Sequence, residues 1–294
     1  MSKTLETIRP WEKHQTLLIK YQGKVYDLYQ MPHNIILEAN LDLSDFGLTE
    51  LPDLSDVIII GDFNCSDNKL LSLQGAPSLY VGGTFNCSIN ELYSLRGATK
   101  KVGLDFNCNE NALRNLNYGP QKVGRNFDCS YNEIISLEGA HKYTNGDFNC
   151  AMNLLQTLTG APAYTNGSFI CHTNQLSTLM GGPQDVKGLY DCSFNYLQTL
   201  KYAAKYVDGY FDCSHNLIMT LEHAPLQIGS LFICDENNFS NASIAPAYVK
   251  NYKHIKGLTQ QQLDTMVNKQ TDRAIRDAYN FIKNIQNKLN NRQI

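Results

Sequence analysis

The sequence predicts a β-rich solenoid, in which short coils of similar sequence stack on one another. The first observation is that all nine cysteines recur at a nearly fixed period: the first step is one position longer than the seven equal steps that follow. They are Cys65, Cys87, Cys108, Cys129, Cys150, Cys171, Cys192, Cys213 and Cys234. The second observation is that an aromatic residue stands two positions before each cysteine and an asparagine stands three positions after it. A fixed period of this length is the signature of stacked repeats.

Each coil is predicted to contain one short strand that passes through its cysteine. The spacing of Phe127 and Cys129 matches the two-residue period of a strand, so both side chains point to the same face. Apolar rows such as those of Val123, Ile134 and Leu137 keep the same register from coil to coil. A single coil cannot bury these side chains alone, so neighbouring coils complete the core and their strands form a parallel sheet.

The asparagine row runs from Asn68 to Asn237 without a substitution. A turn inside a stacked coil leaves backbone groups that need hydrogen-bond partners, and an amide supplies both donors and an acceptor. We therefore predict an asparagine ladder that bonds the turns above and below, and we favour this structural role over a catalytic one.

Glycine and proline punctuate the chain after the second leucine of most coils, as in Gly75-Ala76-Pro77 and Gly160-Ala161-Pro162. Such residues favour turns and interrupt helices. The convex side of the solenoid is therefore predicted to be helix-poor, with short extended segments that return the chain to the core.

The frame Phe-x-Cys-x-x-Asn-x-Leu-x-x-Leu resembles a leucine-rich repeat, with Phe and Cys in two of the usual leucine positions. Residues 127–140 show its local form, which is similar to 21-residue repeats of bacterial and bacteriophage-encoded proteins. The resemblance covers residues 41–242 and implies a leucine-rich-repeat horseshoe or arc with a parallel concave sheet. It says little about function, because this scaffold is reused for many partners.

Three segments follow from these patterns. Residues 1–40 are predicted to form a short N-terminal β cap, with a hairpin around Gln22-Gly23 that covers the edge of the first coil. Residues 41–245 form the solenoid of about ten coils. Residues 246–294 form a C-terminal α-helical cap or docking segment, because Thr259 and Gln262 have capping-box spacing and later apolar residues recur at a helical period.

The composition argues against several classes of protein. The chain has a formal charge of −3 and is 43% hydrophobic, and no apolar run is long enough to cross a membrane. The first residues lack the apolar stretch of a signal peptide. An odd number of inward-facing cysteines is predicted to be free and buried, which favours a reducing compartment such as the cytoplasm. We expect no cofactor and no metal site, because no cysteine or histidine spacing typical of zinc is present.

Residues that flank Phe and Cys are predicted to point outward onto the concave face. In the early coils they are polar and acidic, without Lys or Arg, which disfavours nucleic-acid binding there. In the last four coils apolar residues surround two aspartates, beside an aromatic rim residue. We predict that a partner protein contacts Ile170, Leu189, Asp191, Phe194, Tyr210, Asp212, Leu231 and Ile233. The alternative is that the C-terminal helix folds back over this surface.

These observations favour a non-catalytic protein-recognition scaffold. Repeated aspartates on an open face offer little of the shielding that acid–base catalysis needs. The resemblance implies a phage-encoded protein that acts on a host or phage protein in the cytoplasm. The alternative is a structural virion or assembly component that docks on a larger complex. An enzyme-linked effector such as a ubiquitin ligase is disfavoured, because the C-terminal segment is short and has no cysteine. The oligomeric state stays open.

Overall fold

The computed structural model describes residues 6–8, 17–32, 34–239 and 254–256, with side chains for residues 17–32 and 34–239. The chain divides into two compact units, Met1–Gly146 and Asp147–Ile294. Both units are built mainly from short parallel strands. The predicted C-terminal helix, from Thr259 onward, lies outside the described residues.

The first unit begins with a small antiparallel sheet. Its elements are β1 (Glu6–Ile8), β2 (Leu18–Tyr21), β3 (Lys24–Asp27) and a 3-10 helix, η1 (Leu28–Gln30). Gln22 and Gly23 connect β2 to β3 with φ angles of 49° and 79°, the left-handed pair that a two-residue hairpin turn needs. The predicted hairpin around these residues is confirmed. The hydroxyl of Tyr21 accepts a hydrogen bond from the N–H of Glu38 at 3.1 Å, which ties the hairpin to the first coil.

Successive coils contribute two kinds of short strand. In the first unit they are β4 (Ile36–Leu37), β5 (Leu41–Asp42), β6 (Ile58–Ile59), β7 (Phe63–Asn64), β8 (Tyr80–Val81), β9 (Phe85–Asn86), β10 (Lys101–Val102), β11 (Phe106–Asn107), β12 (Lys122–Val123), β13 (Phe127–Asp128) and β14 (Tyr143–Thr144). In the second unit they are β15 (Phe148–Asn149), β16 (Tyr164–Thr165), β17 (Phe169–Ile170), β18 (Asp185–Val186), β19 (Tyr190–Asp191), β20 (Tyr206–Val207), β21 (Phe211–Asp212), β22 (Gln227–Ile228), β23 (Leu231–Ile233) and β24 (His254–Lys256). We call the odd-numbered strands from β5 to β23 the Phe-row strands and the even-numbered strands from β4 to β22 the return strands.

The strands of each kind pair with one another in parallel. In the first unit the return strands lie in the order β12-β10-β8-β6-β4 and the Phe-row strands in the order β13-β11-β9-β7-β5. In the second unit the return strands lie in the order β16-β18-β20-β22, and the Phe-row strands in the order β15-β17-β19-β21-β23, followed by β24. The register pairs equivalent residues of neighbouring coils, such as Phe106 with Phe127. The predicted β-rich solenoid is confirmed, and η1 is the only helix in the described part of the chain.

Strand β24 was not predicted from the sequence. It lies within residues 246–294, the segment expected to form a helical cap, and it pairs in parallel with β23. Its register is Leu231 with His254 and Ile233 with Lys256, so β24 begins two positions later than the regular period would place it. The repeat pattern did not predict this strand, because its spacing from β23 differs from the period and its coil lacks the cysteine.

The core is made of the rows that the period defines. From Phe63 to Leu221, the Phe-row, cysteine and two leucine-row side chains are 0–2% exposed. Neighbouring rings lie in contact, with centroids 5.0 Å apart for Phe63 and Phe85. All nine cysteines are buried thiols that form no disulfide. Some thiols also donate a hydrogen bond to the next coil, as Cys87 Sγ does to the carbonyl oxygen of Asn107 at 3.3 Å. A cysteine at this position therefore fills space and satisfies a backbone oxygen.

Asparagines of the row connect neighbouring coils within each unit, as Asn195 does. Asn195 Nδ2 lies 3.1 Å from the carbonyl oxygen of Cys171 in the preceding coil, and 3.1 Å and 3.0 Å from those of Cys192 and Ser193 in its own coil. Its Oδ1 accepts a hydrogen bond from the N–H of Leu176 at 2.9 Å. One amide thus holds four backbone groups of two coils. The same pattern recurs at Asn90, Asn111 and Asn216.

Tyr190 is the one tyrosine in the Phe row between Phe63 and Phe232. Its side chain is 0% exposed, and its hydroxyl has no hydrogen-bond partner among the described residues. The hydroxyl fits because Gly182 stands where most coils have alanine; a Cβ at Gly182 would lie 3.1 Å from the Tyr190 oxygen. Burial raises the pKa of Tyr190 well above its ordinary value, so the phenol stays neutral.

Tyr190→Phe should raise the free energy of unfolding by about 1–3 kcal/mol, because it removes a buried hydroxyl that makes no hydrogen bond. Urea denaturation followed by circular dichroism, with an unchanged m-value, checks this result. The matched control is Phe211→Tyr in the next coil, which should lower stability. A loss of stability in Tyr190→Phe would show that the hydroxyl has a partner.

Candidate protein-binding surface

The candidate surface lies on the outward face of the Phe-row strands in the second unit. Because side chains alternate along a strand, the residues on either side of each buried ring point away from the core. The register places Ile170 beside Asp191, Asp191 beside Asp212, and Asp212 beside Ile233. These four predicted residues therefore form one column across four neighbouring strands.

A second column lies on the other side of the buried rings. Leu189, Tyr210 and Leu231 occupy the equivalent position in three successive coils, and each is partly exposed. The N–H of Tyr190 donates to the carbonyl oxygen of Tyr210 at 2.9 Å, which fixes these neighbours at the spacing of the sheet. We call the seven residues of both columns the apolar–acidic patch: Ile170, Leu189, Asp191, Tyr210, Asp212, Leu231 and Ile233.

Each of the two aspartates of the patch accepts hydrogen bonds from the serine two positions later in its own coil. Asp191 Oδ1 accepts hydrogen bonds from the N–H and hydroxyl of Ser193 at 3.0 Å and 2.7 Å. Asp212 Oδ1 accepts one from the N–H of Ser214 at 2.8 Å. Burial is the main cause that raises the pKa of Asp212; the bonds from Ser214 oppose it, and the charges of Asp191 and Asp235 add to it.

Tyr210 is the aromatic residue of the patch and lies in the column of Leu189 and Leu231. Burial raises the pKa of its phenol, and the negative charges of Asp191 and Asp212 add to the effect. The hydroxyl therefore stays protonated in the field of two carboxylates. The patch combines a negative centre with apolar side chains on both flanks, which suits a cation carried on an apolar stem.

Phe194 is the eighth predicted residue, and it lies at the rim. Its side chain is 53% exposed, and its ring stacks on His215 with centroids 4.1 Å apart. Its φ is 52°, in the left-handed region that bulky residues seldom adopt. All nine residues two positions after a cysteine have φ between 50° and 54°, and none of them is glycine or asparagine. The turn thus projects a full side chain outward from every coil.

Two further exposed residues occupy the repeat position two after that of Phe194, and they were not predicted from the sequence. Tyr196 is 58% exposed and Leu217 is 39% exposed, and both stand four positions after a cysteine. In the first unit three of the four equivalent positions are charged, Lys69, Glu91 and Glu133, and the fourth is Ala112. This change from charged to apolar residues was the signal that could have identified them.

The outward face in the first unit differs in one respect from the expectation. The flanking positions there carry no Lys or Arg, but Arg125 from the turn before β13 forms a bidentate ion pair with Asp105. The hydrogen bond from Arg125 is the main cause that lowers the pKa of Asp105. That aspartate is therefore neutralised within the unit, whereas the ion pairs among the described residues of the second unit bring no such cation to Asp191 and Asp212.

The described residues contain no group of three or more His, Cys, Asp or Glu side chains that could hold a metal ion. Burial raises the pKa of the Cys192 thiol well above its ordinary value, so this thiol is held in its protonated form. In the part of the chain with assigned structure, no helix is long and apolar enough to span a membrane.

Among solved structures, the chain is similar to YopM from Yersinia enterocolitica WA-314, with 17% sequence identity and a TM-score of 0.40. The match covers 75% of this chain, which spans 64% of the length of that structure. No protein-family model matches the chain, and no curated protein sequence matches it. The period of the coils, their parallel strands and their buried leucine rows are those of a leucine-rich-repeat type of protein.

Asp212→Asn should raise the free energy of unfolding at pH 7. The pKa of Asp212 is higher in the folded than in the unfolded chain, so the folded state holds the proton more tightly. Stability from this group is therefore greatest below the ordinary aspartate pKa of about 3.9, and it falls as pH rises through the window up to the raised value. The difference between variant and parent should shrink as pH is lowered through that window in urea titrations.

The matched control for this prediction is Asp128→Asn. Asp128 holds the equivalent position in the first unit and bonds Ser130 at 2.9 Å and 2.7 Å. It should give no gain at pH 7. Equal effects of the two substitutions at every pH would contradict the assigned role of burial at Asp212.

Proposed function

We propose that the protein is a recognition scaffold whose second unit binds a segment of a partner protein through the apolar–acidic patch. Leucine-rich-repeat folds typically serve as protein-interaction scaffolds, because stacked strands present an extended surface on one face. Apolar and aromatic side chains next to polar ones are typical of such interfaces. Exposed Phe194 at the rim extends the same surface.

One observation carries the proposal. Asp191 and Asp212 are adjacent carboxylates, and Ile170 and Ile233 flank them in the same column. The outward positions within residues 147–235 contain no Lys or Arg, and Lys256 of β24 pairs with Ile233 rather than with either aspartate. A cation that neutralises the Asp191 and Asp212 carboxylates must therefore come from outside these positions. We infer that the partner segment carries a Lys or Arg between apolar side chains, since the stem of a basic residue packs on apolar surface while its head reaches a carboxylate.

The alternative function, a structural component of a virion or larger assembly, uses the same surface for copies of one protein or for a fixed neighbour. The phage origin, the identity of the target and the location in the cytoplasm or the virion stay predictions from the resemblance. The segmentation at residues 40 and 245 also stays a proposal. Measuring the mass of the purified protein in solution separates a recognition module from a self-assembling component.

The test is an array of short peptides that vary in the number of basic and apolar residues, probed with the full chain. Peptides that pair a Lys or Arg with apolar neighbours should be enriched. The double substitution Asp191→Asn with Asp212→Asn should weaken binding of the best peptide at least about tenfold, because a buried charge pair loses one partner. Added salt should weaken the parent more than the variant.

The control is Asp128→Asn, which removes a carboxylate at the same position of a first-unit coil and should leave the affinity within about twofold. Leu189→Asp with Tyr210→Asp tests the apolar flanks and should abolish binding while circular dichroism stays unchanged. Peptides without a basic residue binding equally well, or both double variants of the patch binding like the parent, would refute this proposal.

A further inference from the structure

The return strands of the first unit carry an outward row of lysine and tyrosine. In β8, β10, β12 and β14 the second residue is buried in the core and the first is half-buried or exposed. The first residues of these four strands are Tyr80, Lys101, Lys122 and Tyr143. A pair of lysines therefore stands between two tyrosines at one position of four successive coils.

The two lysines are held side by side. The parallel register pairs Lys101 directly with Lys122, and with Tyr80 on its other side. Neighbouring strands lie about 4.8 Å apart. Glycine keeps the coils this close, because a Cβ at Gly124 would lie 1.9 Å from the carbonyl oxygen of Gly103. Like charges directly opposite each other on a sheet are unfavourable, so the stability of the free protein does not account for this pair.

No acidic residue within these segments balances the charge. Residues 79–83, 100–104, 121–125 and 142–146 contain the four strands and their flanks, and they have no Asp or Glu. They add Lys100 and Lys142 to the pair, and none of the four lysines forms an ion pair within the described residues. Arg125 is a fifth cation, but Asp105 neutralises it. A local excess of positive charge therefore lies in a chain of net charge −3.

The second unit shows the same kind of strand with its charge balanced. There Asp185 is the first residue of β18, and its Oδ1 lies 3.0 Å from Lys187 Nζ. The same ammonium group lies 3.6 Å from Asp208 Oδ2 in the next coil. The return strands can therefore place carboxylates beside a lysine, and the equivalent positions of the four first-unit coils have none.

A groove of about 520 Å³ extends the basic surface. Two successive coils line it, and its walls include Lys122, Lys142 and Tyr143. The Tyr143 side chain is 69% exposed, so most of its ring is accessible. Two ammonium groups and an aromatic ring thus line one recess. We call the lysines and tyrosines of this surface the return-face cluster: Tyr80, Lys100, Lys101, Lys122, Lys142 and Tyr143.

We propose that the return-face cluster binds a single-stranded nucleic acid. The ammonium groups neutralise phosphates of the strand, and its unstacked bases stack on the tyrosine rings, a combination typical of proteins that bind single strands. The bases of a duplex are paired inside it and cannot reach the rings. A bilayer surface is too flat to enter the groove, and an acidic peptide brings no bases to the tyrosines.

This proposal does not depend on the proposed protein partner. The return-face cluster belongs to the first unit and to the return strands, whereas the apolar–acidic patch belongs to the Phe-row strands of the second unit. Loss of one binding activity therefore leaves the other to be measured on its own.

The test is a fluorescence-anisotropy titration of the full chain against a labelled oligothymidylate of about twenty nucleotides. We expect saturable binding with a Kd of about 1–100 μM in about 50 mM salt. A plot of log affinity against log salt concentration should have a slope of about −2.8, since each of four lysine–phosphate contacts on a single strand contributes about −0.7. No binding in this range, or affinity that is independent of salt, overturns the proposal.

Three other polyanions test the choice of partner. They are duplex DNA of the same length, phosphatidylserine vesicles and polyglutamate, each compared at the same concentration of negative charge. Each should bind at least about fivefold more weakly than the single strand, because none of them offers unstacked bases to the tyrosines. Equal binding of any of the three overturns the proposal.

Lys101→Gln with Lys122→Gln should weaken binding at least about tenfold and reduce the salt slope to about half. Removing a pair of like charges should leave the melting temperature at or above that of the parent, which separates lost binding from unfolding. The matched control is Lys187→Gln with Lys205→Gln, which removes the same charge from the second unit and should leave the affinity within about twofold.

Tyr143→Leu should weaken binding at least about fivefold with the salt slope unchanged, because it removes a stacking ring and no charge. Its control is Tyr206→Leu, at the same repeat position of the second unit and 44% exposed, which should stay within about twofold of the parent. The proposal is overturned if the lysine variant binds as the parent does, or if either control loses as much affinity as the variant it matches.

Discussion

The side-chain amide of one asparagine per coil is the interaction on which the rest of the structure depends. The strands are mostly two residues long, so the sheets alone provide few hydrogen bonds between coils. Asn195 adds bonds to the carbonyl oxygens of Cys171 and Cys192 and receives one from the N–H of Leu176. These groups are buried and would each cost about 1–3 kcal/mol without a partner. A constant step from coil to coil keeps every amide in reach of both coils.

The inward-facing rows stay constant from coil to coil, and this leaves the outward-facing residues free to vary. Once the Phe, Cys, Asn and Leu rows are set, each remaining position repeats in space with free choice of side chain, and chemistry can change from coil to coil. The column that begins with Ile170 carries two aspartates in the next two coils and returns to an apolar residue at Ile233. The residue two positions after the second leucine, which is glycine with positive φ in most coils, is Tyr202 or His223 in two neighbouring coils. The proposed binding surface is therefore a set of local replacements on a constant frame.

The fixed period was enough to predict the solenoid and its parallel strands, and the Gln22-Gly23 pair was enough to predict the N-terminal hairpin. Strand β24 escaped, since it begins two positions later than the period would place it and carries Ile255 where the frame has an aromatic. The positions of Asp191 and Asp212 on one column also followed from the alternation of a strand. The raised pKa of Asp212 did not, because it depends on how far neighbouring side chains bury the carboxylate.

The most direct test of this account is the free energy of unfolding of Asn195→Asp, measured as a function of pH. The substitution keeps the shape and the acceptor for Leu176, but it points a carboxylate oxygen at three carbonyl oxygens. We predict a loss of at least about 2 kcal/mol at pH 7, with partial recovery as pH falls, because the protonated carboxyl can again donate one hydrogen bond. Asn145→Asp, at an exposed site, should change stability by no more than about 0.5 kcal/mol. An unfolding free energy for Asn195→Asp within about 0.5 kcal/mol of the parent at pH 7 would contradict the central role of the amide.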